Sequence, residues 1–162
     1  MQHRSEPGGP VGGRSASLEF AVAIYVVNGD RVLLVKHRAL GTWLPLGGHI
    51  EEGETPEDAA IRESLEESGL HVELVGERPT IPVVGTTFLC PPTYLDVHEV
   101  SPLHRHVGMI YFARSRSADV RLAAEEHDAI RWFSAEDLSS VSVPTAVRFY
   151  AQEAIRRAAA PQ

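Results

Sequence analysis

The sequence predicts an α/β (α+β) fold in which one mixed β-sheet lies between helices. Three observations carry this reading. Stretches rich in β-branched and aromatic residues, such as Leu18–Val27, recur along the chain at strand length. Two stretches, from Thr55 and from Pro144, have helical spacing. Strands and helices do not follow a strict βαβ alternation, which favours a mixed sheet flanked by helices.

A chain of 162 residues, 43% hydrophobic and 23% charged, is long enough for one domain with a sizeable core. Residues 17–160 are expected to form it. Residues 1–16 are rich in Gly, Pro, Arg and Ser and have too little apolar surface to repay ordering, so a mobile tail is expected there. With 15 basic and 22 acidic residues the formal net charge is −7, which argues against a general nucleic-acid-binding surface. An anionic metabolite remains compatible with it if local cations offset the acid. Cys90 is the one cysteine, so no intrachain disulfide forms. No apolar run approaches the roughly 18 residues of a membrane span, and the N-terminus lacks an apolar signal region. A cytoplasmic protein that engages neither membrane nor nucleic acid is expected.

Taken in order, Leu18–Val27 reads as a buried strand, and Asn28-Gly29-Asp30 as a turn into a second strand, Arg31–His37. Residues 38–43 connect to a short extended segment, Trp43–Gly48, where Pro45 and the Gly47-Gly48 pair let the backbone bend tightly. The central helix has clear start and stop signals. Thr55 is an N-cap, Pro56 suits the first helical position, Asp58 stands where a capping box wants an acid, and Gly69 ends the helix in a left-handed conformation. Ile61 and Leu65 are expected to anchor this helix to the core. Strands are expected at His71–Val75, Thr80–Phe88, Tyr94–Val100, His106–Arg114 and Ala129–Phe133. Ser134–Asp137 reads as the cap of a short helical turn. In the last helix Ala146, Val147, Tyr150, Ala154 and Ile155 share a face.

The chemistry concentrates in Gly48–Leu70. Glu63, Glu66 and Glu67 stand at i, i+3 and i+4, which brings three carboxylates to one helix face. Like charges so close destabilise a bare helix, so the arrangement makes most sense around a divalent cation. The bland alternative is a solvated acidic face.

The full stretch carries more than three acids. It has Gly48, five further residues, Glu54, seven more, then Arg62-Glu63-Ser64-Leu65-Glu66-Glu67-Ser68-Gly69-Leu70. This resembles the box that defines the Nudix hydrolases, with every fixed Gly, Glu and Arg present and Leu70 at the final aliphatic position. One position departs: Ser64 stands where the family has a bulky aliphatic residue, which bears on packing and not on metal ligation. The resemblance extends more weakly from about Leu18 to the C-terminal helix.

The resemblance implies a Nudix-like α/β/α sandwich and hydrolysis of a nucleoside diphosphate linked to another moiety, with Mg²⁺ or Mn²⁺. The physics agrees. Hard oxygen ligands suit Mg²⁺, which bridges phosphate oxygens, offsets their charge and orients water. By position in the box, Glu63, Glu66, Glu67 and the Gly48 carbonyl are assigned to metal. Arg62 is assigned to brace a box carboxylate, and Glu54 to close the loop onto the helix start. Family members often use a further acid from a later loop; Glu126 is favoured, with Glu125 close behind. The general base stays open between Glu63, this loop and direct activation of water by metal. Family members are often dimers, so a homodimer is one option.

Substrate-side candidates are Arg38, His49, His104 and His106, with Arg105 beside them, as cations facing phosphate. Trp43, Phe88 and Tyr94 are candidates to stack on a base. Ordinary surface or core roles compete at each of these positions. A catalytically inactive nucleotide-binding module is the alternative to an enzyme, and the intact acids argue against it. The identity of the diphosphate substrate is not legible.

Overall fold

A computed structural model describes residues 17–158. The expected tail, residues 1–16, and residues 159 and 160 of the expected domain lie outside the described residues. The chain runs β1 (Ser17–Asn28), β2 (Arg31–His37), β3 (Trp43–Leu44), β4 (Leu46–His49), α1 (Pro56–Ser68), β5 (Val72–Leu74), β6 (Tyr94–Ser101), β7 (His104–Ser115), β8 (His127–Ser134), α2 (Ala135–Ser140) and α3 (Thr145–Ala158).

All eight strands join one mixed sheet. Its spine is β1 and β7, parallel from Ser17 opposite His104 to Val27 opposite Arg114. The Asn28-Gly29 turn returns β1 into β2, but only Val27–Val32 and Asn28–Arg31 pair before the two strands part. The middle of β1, Ala21 to Ile24, pairs with β4, and β2 pairs with β8. On the far side β7 takes β6 along its first half and β5 at its end.

Alternation along the strands divides the core between two faces. Val22, Ile24 and Val26 of β1 pack with Tyr111 and Ala113 of β7 against Ala59 and Ala60 of α1. Tyr25, Val27, Ile110 and Phe112 pack against Leu138 of α2 and Val147, Ala151 and Ala154 of α3. The result is the expected helix–sheet–helix sandwich.

The central helix is built as its sequence predicts. The Thr55 hydroxyl accepts the Asp58 N–H at 3.2 Å, Pro56 opens the first turn, and Gly69 closes it at φ 73°. Its buried face is different from the one expected. Ile61 and Leu65 are each 39% exposed, while Ala59, Ala60, Ser64, Glu67 and Ser68 are buried. Small side chains bring the helix close to the sheet, and that closeness sinks Glu67 into the interior. Ser64, in place of an aliphatic residue, is fully buried with its hydroxyl donated to the Ala60 carbonyl at 2.8 Å.

Three further expectations change. Residues 80–88 form no strand. Pro79 and Pro82 supply no N–H, and the outer edge of β7 is already covered by β6 and β5. Strands β7 and β8 begin two residues earlier than predicted, which moves His104 and His127 from loops into the sheet. Ala146 is exposed; Ala151 joins the buried face of α3 instead.

Candidate active site

The site forms where β4 ends against α1. A Cβ on Gly47 would lie 2.1 Å from the Val22 carbonyl oxygen, and one on Gly48 would lie 2.3 Å from Glu63 Oε1. Gly47 has φ +152°, a conformation L side chains rarely adopt. The Gly-Gly pair therefore lets backbone meet strand on one side and carboxylate on the other. The Gly47 N–H donates to Glu67 Oε2 at 2.9 Å, tying β4 to the helix.

Arg62 holds the acids in place. Its guanidinium donates to both oxygens of Glu54 at 2.8 and 2.9 Å, to Glu63 Oε1 at 2.7 Å, to Glu66 Oε2 at 3.1 Å and to the His49 carbonyl at 3.1 Å. One planar cation thus sets the rotamers of three carboxylates. The Arg62 guanidinium holds the Glu54 carboxyl below its usual range. Glu63 is raised, chiefly by burial, with Arg62 opposing.

Glu67 is 4% exposed. Burial pushes its carboxyl up to about 8; the Gly47 N–H opposes this, and the neighbouring Glu63, Glu126 and Glu66 add to it. Its Oε1 lies 2.7 Å from His127 Nε2, and burial lowers that imidazole in turn. Burial thus pushes both groups toward their neutral forms. The His127 Nδ1 is buried with no hydrogen-bond partner among the described residues.

The loop before β8 docks on the end of α1. Arg121 N–H donates to the Ser68 carbonyl at 2.8 Å and Ala123 N–H to the Glu67 carbonyl at 3.3 Å. These bonds bring Glu126 to Glu67: potential ligand atoms of Glu67, Glu126 and His127 lie within 4.8 Å of one another. Glu125 instead offers its carbonyl to Arg38 Nη1 at 3.0 Å. Arg38 also binds Asp128 Oδ1 at 3.0 Å and the Ala124 carbonyl, so its guanidinium clamps the loop. A Glu63 carboxylate oxygen stands where a Gly48 Cβ would sit, Glu67 accepts the Gly47 N–H, and Glu126 lies beside Glu67. That donor set fits a hard divalent cation.

The remaining substrate-side candidates separate. Trp43 packs edge-on against Phe133, centroids 4.9 Å apart, on the face of the sheet that carries α3. Tyr94 stacks near Tyr150 at 5.4 Å and donates its hydroxyl to Glu153. His49, His104 and His106 come together with Glu19. His127 is the residue that sequence reasoning passed over. It follows Glu126 directly, but counting alternation back from Phe133 puts position 127 on the α3 face. A bulge in the β2–β8 pairing, Lys36 opposite Ala129 and His37 opposite His127, turns it toward α1.

A glycine loop thus feeds an acid-bearing helix packed on a mixed sheet, with a second helical layer on the other face. The NUDIX domain model matches residues 18–157, and the chain belongs to the Nudix hydrolase family. A crystal structure of a NUDIX-family hydrolase from Clostridium perfringens is similar at a TM-score of 0.76 and 34% identity, over 85% of this chain and 96% of that one. The chain is 41% identical over 86 residues to the oxidized purine nucleoside triphosphate hydrolase of Mus musculus, covering 51% of this chain and 53% of that enzyme. It is 30% identical over 123 residues to the 8-oxo-dGDP phosphatase NUDT18 of Homo sapiens, covering 74% of this chain and 32% of that protein. The chain thus spans about half the length, or less, of these curated relatives. Among the described residues no helix is long and apolar enough to cross a membrane.

Proposed function

We propose that this chain hydrolyses the diphosphate bond of a nucleoside diphosphate linked to another moiety, with Mg²⁺ or Mn²⁺ held by Glu63, Glu66, Glu67 and the Gly48 carbonyl. The observation that carries this is the meeting of the Glu63 carboxylate with the Gly48 backbone, beside a buried Glu67 whose charge a cation would offset. When bound, such a cation supplies charge neutralisation and Lewis-acid polarisation of the phosphoryl group.

The chain's own groups do the positioning. Arg62 keeps Glu63 and Glu66 in fixed rotamers, so their oxygens need no reorganisation when phosphate arrives. Glu126 is assigned as general base: it is held near Glu67 by the docked loop, whereas Glu63 Oε1 already accepts from Arg62. Arg38 is assigned to holding that loop, since its donors are committed to Asp128 and two backbone carbonyls. The names of the mouse and human relatives support a purine nucleoside di- or triphosphate, oxidised forms included, as the first substrate class to try.

The test is a phosphate- and pyrophosphate-release screen over oxidised and ordinary purine nucleotides, nucleotide sugars and dinucleotides, with Mg²⁺ and Mn²⁺ in turn. Turnover abolished by chelator and reduced by orders of magnitude in Glu67→Gln is the expected result. A folded protein that turns over none of these diphosphates, with either metal, overturns the reading.

A further inference from the structure

We propose that Glu19, His49, His104 and His106 form a second metal site, suited to a borderline divalent cation such as Zn²⁺ and separate from the glutamates of α1. The inference goes beyond the hydrolase reading and does not depend on it.

Three strands build the cluster. Glu19 of β1 pairs directly with His106 of β7, and His104 lies two residues back on the same face of that strand. His49 ends β4, opposite Ala21 of β1. Glu19 shares its parity on β1 with Tyr25 and Val27, and His104 and His106 share theirs on β7 with Ile110 and Phe112; all four of those core residues face α3. The cluster therefore stands on the opposite face of the sheet from the carboxylates of α1.

The donor atoms converge. The Nε2 of His106 lies 3.0 Å from Nε2 of His49 and 2.8 Å from Nε2 of His104. His49 Nε2 is also 3.0 Å from Glu19 Oε2, and His104 Nδ1 is 3.5 Å from Glu19 Oε1. Potential ligand atoms from all four residues lie within 4.8 Å of one another. Tetrahedral Zn²⁺ holds imidazole nitrogens at about 2.0–2.1 Å, which sets its ligands roughly 3.3 Å apart.

Protons alone do not satisfy this arrangement. A neutral imidazole Nε2 carries one hydrogen or one lone pair, not both. His49 has two acceptors competing for its one hydrogen, Glu19 and His106. His106 faces two nitrogens with a single lone pair. A cation removes the conflict, because each nitrogen then turns a lone pair, and Glu19 an oxygen, to the same point. Three imidazoles and one carboxylate are a borderline set, unlike the all-oxygen set of α1. The second shell is present as well: the Ser17 hydroxyl lies 2.7 Å from His104 Nδ1. Glu19 and His49 are exposed, so the site is open to solvent.

Titration of the full, metal-free chain with Co²⁺, followed by its visible d–d absorption, tests the proposal, with Zn²⁺ added in competition. One equivalent with the intense band of tetrahedral coordination is expected. His106→Ala should abolish the band and weaken Zn²⁺ binding by about 10-fold or more. His49→Ala, an exposed position, should do the same without disturbing the fold, and Glu67→Gln should keep both signals. A folded wild-type chain with no such band overturns the proposal. So does a band that survives both histidine variants, or one that vanishes in Glu67→Gln, since the cation would then reside on α1. Mg²⁺-supported hydrolysis measured in parallel separates the two readings. An inactive chain that binds Co²⁺ leaves this site standing, and an active chain without the band removes it alone.

Discussion

The Nε2 of His127 meets Oε1 of Glu67 at 2.7 Å in the interior, while the other Glu67 oxygen accepts the Gly47 N–H at 2.9 Å. A carboxyl group is thus gripped from β8 on one side and β4 on the other. His127→Ala should remove one grip and leave Glu67 Oε1 buried without a partner. Unfolding free energy should fall by roughly 1–3 kcal/mol, and kcat should drop together with apparent Mg²⁺ affinity. His127→Gln, whose amide can donate or accept, should recover part of both. Denaturant melts and metal titrations at wild-type values in both variants would deny His127 any positioning role.

The two glycines of the loop should fail in different ways. Gly47→Ala drives a Cβ to 2.1 Å from a strand carbonyl and forces an unfavourable φ, so a marked loss of stability is expected. Gly48→Ala meets only the end of the Glu63 side chain, which can swing aside. That variant should melt close to wild type and yet lose most turnover, because Glu63 leaves its place. Comparing melting temperature with kcat for the pair decides the matter. Full activity in Gly48→Ala would show that Glu63 need not approach the backbone.

Ser64 tests how far this chain has adapted to its departure from the family pattern. The residue is fully buried and back-bonded within α1. Ser64→Leu restores the family's aliphatic type but adds volume where the helix already sits close to the sheet. A loss of roughly 1–3 kcal/mol in urea unfolding is expected from overpacking. A gain in stability would mean that the interface holds space for the larger side chain.

Glu153 ties α3 to β6. Its carboxylate accepts from Arg156 at 2.7 and 2.9 Å, from Arg157 at 3.2 Å and from the Tyr94 hydroxyl at 3.2 Å. Arg156 leads in holding its pKa down to about 2. A folded value below the unfolded one, near 4.3, gives stability that is full above the unfolded pKa and is lost as pH falls toward the folded one. The melting temperature should therefore decline between about pH 4.5 and 2, and Glu153→Gln should decline less over that window. Parallel curves for the two proteins would show that the cluster contributes nothing to acid stability.

Much of α1 was legible beforehand because its signals are local. A Thr-Pro start and a glycine stop act within a turn or two of chain, and the helix obeys both, although the Asp58 carboxylate takes the Thr55 hydroxyl and not its backbone N–H, so the capping box stays open. The expected anchors failed for a non-local reason. Ile61 and Leu65 are the large apolar residues of α1, but the sheet admits the helix only by its small face, through Ala59, Ala60 and Ser64. The strand expected at residues 80–88 failed likewise: pairing needs a free edge, and β5 and β6 had taken the one on β7.

The sequence by itself determined that a glycine loop, a capped helix and three glutamates form one unit, because spacing along a helix converts directly into position on its face. Only the tertiary structure decided what meets that unit. A one-residue bulge in β8 turns His127 from one side of the sheet to the other, onto Glu67. The parallel register of β1 and β7 sets Glu19 beside His106, 87 positions on, and the end of β4 carries His49 to both. Pairing register is chosen by the whole sheet, where a shift of one residue reverses every side chain, and no local pattern announces it.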